Sequence, residues 1–205
     1  MDKLQISDGQ RDQIYSEVES KTSHGDIYFP DHVDPVARNC FLYASHLART
    51  DSTIDPVVCE LGGLLHDIGY SRDFEPEERD HVLKGTRMAP GILDCLGIEG
   101  DYRDMIVDTI WTHDGNLDRS AYGNPAPSNN RIVNDVDAMQ LFDWNLASLF
   151  QFSLRLQPGR PISDVATELL EHVDQTMPYI SMDFFQKLAR PKYEARRKEL
   201  EAFIE

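Results

Sequence analysis

Apolar residues recur at three- and four-residue intervals along most of the chain, and no stretch alternates as a half-buried strand would. The pattern predicts a short helix over residues 10–20. Asp34-Pro35 reads as an N-cap followed by proline at the first helical position, and Val36, Cys40, Phe41, Ala44 and Leu47 continue one apolar face. Asp55-Pro56 repeats this start signal. Val57, Val58, Leu61, Leu64, Leu65 and Ile68 then form a wide apolar face, with Gly69 as the predicted stop. Gly62-Gly63 lies inside that helix at a cost in propensity, which close packing against a neighbouring helix explains. Residues 80–97 read as a helix that Pro90 breaks or kinks. Asp101 is the predicted cap of a helix running through His113, with Tyr102, Met105, Ile106, Thr109 and Ile110 turned inward. Residues 115–130, rich in Gly, Pro, Asn and Ser, form the longest loop, of a length common among lids and substrate loops. Helical patterns resume over 131–156, 161–175 and 181–204. The expected fold is all-α.

Composition narrows the class. At 205 residues, with 40% hydrophobic and 27% charged side chains, the chain suits one soluble domain with a proper core. Its net charge is −16, a field that repels nucleic-acid backbones. A small anionic substrate remains compatible, provided that a local positive centre such as a metal receives it. The three cysteines, Cys40, Cys59 and Cys95, are odd in number and lie in apolar helical patterns, so free buried thiols in a reducing compartment are expected. The polar start MDKLQISDGQRDQ does not read as a signal peptide, and no apolar run approaches 18 residues. These features predict a cytoplasmic protein without a nucleic-acid or membrane partner. They leave a homodimer open.

Seven histidines occur, at positions 24, 32, 46, 66, 81, 113 and 172, and two precede an aspartate: His66-Asp67 and His113-Asp114. In LGGLLHDIGY an apolar helix ends in a His-Asp pair. A polar pair at the end of a buried helix is costly unless something satisfies it. A divalent transition metal does so, and imidazole with carboxylate suits Mn, Fe, Zn, Ni or Co.

On these residues the chain resembles the HD-domain superfamily. His32 in FPDHVDPVARN stands where the family's first histidine belongs, His66-Asp67 matches the doublet, and Asp137 in RIVNDVDAMQLFD matches the distant aspartate. His81 and His113 stand where members with a six-ligand site place two more histidines. The resemblance covers about residues 28–145, which makes these the HD core of a single domain spanning 1–205, with a C-terminal helical extension over 146–205. It implies a metal site of His32, His66, Asp67 and Asp137, extended by His81 and His113, with one or two ions bound. Asp67, with two carboxylate oxygens, is then placed to bridge a pair of ions. The implied activity is hydrolysis of a small phosphate ester, a nucleotide or related metabolite, by metal-activated water.

In that reading Asp67, His81 and His113 carry catalysis, the histidines serving as proton carriers or substrate contacts wherever they do not bind metal. Lys84 and Arg87 follow His81 on one side of its helix and are candidate substrate-binding residues, with Arg119 and Arg131 weaker ones. Asp135 rivals Asp137, with support or capping as its other role. Asp114 is expected to orient His113 or face solvent. Tyr28-Phe29 is read as pocket wall or core. His24, His46 and His172 match nothing in the pattern. Two rival readings stand beside the hydrolase: an HD-fold mixed-valent diiron oxygenase, and a non-catalytic sensor of nucleotide or metal.

Overall fold

The computed structural model describes residues 3–22, 26–70, 80–124 and 126–204; His24 lies outside them. Helix α1 (Asp8–Lys21) opens on a capping box in which Ser7 and Gln10 exchange side-chain-to-backbone bonds. Its buried Ile14 and Val18 face the interior. Arg11 forks onto the nearly fully buried Glu60 at 2.8 and 2.9 Å, tying α1 to α3.

A π-helical turn, Phe29–Val33, runs directly into α2 (Asp34–Leu47). This corrects the expected N-cap at Asp34. The chain is already helical there, and the Asp34 carboxylate instead pairs with Arg38 one turn on, at 2.8 Å. Helix α3 (Pro56–Leu65) starts as expected, with Asp55 accepting from the amides of Val57 and Val58. Every residue of α3 from Val58 to Leu65 is buried, because the helix is enclosed by α2, α5 and α6. The glycine pair makes that enclosure possible. A Cβ on Gly62 would sit 2.2 Å from the Thr109 hydroxyl of α5, and one on Gly63 would sit 2.9 Å from Cys40 Sγ of α2. The helix ends at Leu65, before Gly69.

Helix α4 (His81–Asp94) continues through Pro90 without a break and packs on α5 (Gly100–Thr112). Asp101 lies in the first turn of α5, while Glu99 occupies the cap position without a side-chain cap bond. The expected 115–130 loop is shorter, because α6 already begins at Ser128; among its described residues it contains a 3-10 turn, Leu117–Arg119, and it is pinned by the buried Asp108, which accepts from Ser120 Oγ at 2.7 Å and the Ala121 amide at 2.9 Å.

The apolar run 131–156 folds as two helices, α6 (Ser128–Asp143) and α7 (Leu146–Leu156). Asn145 separates them by capping α7 through the amides of Ala147 and Ser148. Helices α8 (Ile162–Thr176) and α9 (Asp183–Glu201) follow; α8 packs on α7 and α9, and α9 packs on α6. No strand occurs among the described residues, so the fold is all-α. One cluster of buried apolar side chains extends from Leu4 to Leu200. Cys40 and Cys59 are buried free thiols, but Cys95, at the end of α4 where the apolar face turns to solvent, is exposed, contrary to expectation. No helix among the described residues is long and apolar enough to cross a membrane.

Candidate metal centre

Five separate elements deliver the site. His32 comes from the π-helical turn, His66 closes α3, Asp67 follows it, His81 opens α4, His113 closes α5, and Asp137 lies within α6. All six residues that the resemblance named converge here. Gly69 permits one approach: a Cβ there would lie 1.9 Å from the carbonyl oxygen of His81. Only a residue without a side chain lets the turn after Asp67 meet the first residue of α4.

The donor atoms form two groups. His32 Nε2 and His66 Nε2 stand 3.2 Å apart, and Asp137 Oδ1 lies 3.4 and 3.3 Å from them. His81 Nε2 and His113 Nε2 also stand 3.2 Å apart. Asp67 divides its oxygens between the groups. Oδ2 lies 2.9 Å from His66 Nε2 and 3.3 Å from His32 Nε2, whereas Oδ1 lies 3.4 Å from His81 Nε2 and 3.5 Å from His113 Nε2.

Ring tautomers decide what these groups are for. Nδ1 of His66 donates to the Gly63 carbonyl at 2.7 Å, and Nδ1 of His113 donates to the Ile110 carbonyl at 2.6 Å. In the neutral rings each Nε2 is therefore a bare acceptor, and each faces another imidazole nitrogen and carboxylate oxygens. Acceptors converging on acceptors in a buried place need a cation. Donor separations near 3.2 Å suit atoms placed about 2.0–2.2 Å from a shared divalent ion. The donor set thus fits one or two such ions.

The electrostatics of the bare protein point the same way. Burial alone would lower the His66 pKa, yet the adjacent carboxylates of Asp67 and Asp137 hold it well above the ordinary histidine value. Burial would raise Asp67, but His66 and bonds from His113 and His32 hold it well below the carboxylate range. A proton is thereby kept where a metal fits.

Aromatic rings back the candidate ligands. Trp144 stacks on His32 with centroids 4.9 Å apart, and Tyr70 stacks on His81 at 4.2 Å. The buried Tyr28 hydroxyl donates to Asp67 Oδ2, and the Tyr28 ring stacks on Phe152 at 4.9 Å. Burial, followed by the Asp67 charge, pushes the Tyr28 pKa well up, so its proton stays in place.

The centre opens into a cavity of about 630 Å³. Tyr28, Tyr70, Asp114, Gly115 and Asn134 surround its polar end. Asn134 holds that end together, accepting from the Gly115 amide at 2.9 Å and donating to the Tyr179 carbonyl at 2.9 Å.

The HD domain family profile matches residues 31–141, which is more than half of the chain. This chain belongs to the HD domain family. No curated protein and no solved structure matches it. The matched segment of the HD domain begins just before His32 and ends just after Asp137, and so spans all six converging residues.

Other candidates fall elsewhere. Lys84 is half-buried and Arg87 exposed on α4, and neither lines the cavity. Arg131 donates to Ser181 Oγ at 3.2 Å and its carbonyl at 2.9 Å, while Arg119 lies over the Trp111 ring at 5.8 Å. Asp135 takes the supporting role: it accepts from the amides of Ser181 and Met182, both at 2.8 Å, in the segment that leads into α9. Asp114 adopts a left-handed backbone with φ 59° at the cavity edge. Phe29 belongs to the core, and His46 stacks on Phe184. Trp144, Tyr70 and Asn134 also line the cavity, and nothing in the sequence marks them. His172, which matches nothing in the family pattern, lines the cavity from α8.

Proposed function

We propose that this HD domain is a metal-dependent phosphohydrolase acting on a small phosphate ester. The observation that carries the reading is the split of Asp67, one oxygen in each of two donor groups beside an open cavity. His32, His66, Asp67 and Asp137 would hold one ion, and Asp67, His81 and His113 a second. Ions bound there supply Lewis acidity, lowering the pKa of water from about 16 towards roughly 7 and neutralising phosphoryl charge.

The chain's own residues set the stage for that chemistry. Gly63 and Ile110 fix the His66 and His113 rings by accepting their Nδ1 protons. Tyr28 orients Asp67 by donating to Oδ2. Trp144 and Phe152, packed around Tyr28, wall that side of the centre with aromatic rings. If the second group binds no metal, His81 or His113 stands ready to move a proton to the leaving group. The test is phosphate release from a panel of phosphate esters by protein loaded in turn with Mn, Zn, Ni, Co or Fe(II). Turnover of at least one ester is expected. No release with any fully loaded metal would overturn the reading.

A second reading, a mixed-valent diiron oxygenase, is favoured by four imidazoles arranged about the Asp67 carboxylate, which would be shared by two irons. Two irons per chain together with oxygen consumption would select it.

A further inference from the structure

The cavity has two unlike ends. The donor groups, Asp114 and Asn134 lie at one. The other is formed by two helical stripes, Leu149, Ser153 and Leu156 on α7 and Leu169, His172 and Thr176 on α8, with Leu141 of α6; Trp144, which stacks on His32, and Phe152, which stacks on Tyr28, join the two ends. Spacings of three and four residues put each stripe on one face of its helix. Leu149, Leu169, Leu141 and Trp144 are buried in the fold yet still line this space, while Leu156 is 56% exposed at its outer edge.

The polar residues of this wall are Ser153, His172 and Thr176. The Thr176 hydroxyl is engaged by the His172 carbonyl of its own helix at 2.8 Å. His172 itself is exposed. No lysine or arginine among the described residues lines the cavity, and Asp67, Asp114 and Asp137 do. A polyphosphate or a second charged group would find no counter-charge beyond the metal centre and would meet carboxylates or leucines instead. At about 630 Å³ the space far exceeds what one phosphoryl head fills, and it lies within the range of pockets that enclose drug-sized ligands.

We infer that the substrate is a monoester with one charged head at the metal centre and an apolar body, alkyl or aryl, lying between α7 and α8. The inference rests on the hydrolase reading for the head alone. The apolar body is argued from the cavity wall.

Calorimetric titration of the metal-loaded protein with n-alkylphosphonates from ethyl to decyl tests it, with the matching n-alkanols as headless controls. Affinity is expected to rise about threefold per methylene until the lobe is full. Leu156→Gln, at a site exposed enough to leave folding intact, should weaken the longest phosphonates about tenfold and leave ethylphosphonate unchanged. Length dependence in both series with no advantage for the phosphonate head would keep the apolar body and remove the phosphate reading. Affinity independent of length in both series, or nucleoside monophosphates binding more tightly than every alkylphosphonate, would overturn the inference and leave the hydrolase reading standing.

Discussion

His81 Nε2 and His113 Nε2 face each other across 3.2 Å, and the His113 proton is committed to the Ile110 carbonyl on the far side of its ring. Two imidazoles and Asp67 Oδ1 therefore converge on one point, separate from the point shared by His32, His66 and Asp137. Replacing His113 by Ala should lower metal stoichiometry from two ions per chain to one. Elemental analysis of the purified variant measures this directly, and unchanged stoichiometry would remove His113 from the ligand set.

Asp67 is the residue common to both groups. Asp67→Ala should cost at least a hundredfold in metal affinity and in any hydrolytic activity. Helix content by circular dichroism should stay unchanged, because Asp67 lies in the turn beyond α3 rather than in its interior. A variant with full activity would show the centre to be elsewhere.

Asp135 and Asp137 lie two residues apart on α6 and face different tasks. Asp135 is fully buried and accepts from Asn134 and from the amides of Ser181 and Met182. Asp135→Ala should destabilise the protein by about 2 kcal/mol, from the amides left unpaired. Its metal content should remain. Asp137→Ala should show the reverse, with metal lost and thermal stability of the metal-free form little changed. Identical profiles for the two variants would contradict this division.

Gly69→Ala tests the close approach of the turn to α4. The added methyl would fall 1.9 Å from the His81 carbonyl oxygen, so the backbone has to move. A cost of about 1–3 kcal/mol is expected from overpacking. The second donor group should suffer most, with stoichiometry falling towards one ion. A variant with native stability and two ions would show that the turn accommodates the methyl group.

The six converging residues were legible in the sequence through the family resemblance, and four of them also carry a local mark. His66-Asp67 ends an apolar helix, His113 ends another, and Asp137 sits in an apolar helical pattern. The glycine pair at 62–63 was legible for a similar reason, since a helix interior accepts such a cost only for close packing. The cavity wall was not legible. Phe152, Leu156, Leu169 and His172 follow an ordinary amphipathic period, and only tertiary packing turns that face to a cavity. Apolar periodicity also ran unbroken across Trp144-Asn145 and hid the break that Asn145 makes as a cap. Trp144 was invisible as a ligand support because its position depends on distant contacts. Arg196 of α9 donates to the Phe142 and Trp144 carbonyls, fixing the segment whose ring stacks on His32. Gly69 carried a real signal that was misread, because a glycine near a helix end suggests a stop as readily as a close approach.

The most direct test of the central claim is the metal content per chain. Inductively coupled plasma mass spectrometry on protein purified without an affinity tag or added metal gives it. Two divalent transition-metal ions per chain are expected, retained through gel filtration and absent from Asp67→Ala. A chain that holds no metal, even after incubation with Mn, Fe, Zn, Ni and Co in turn, would contradict that claim.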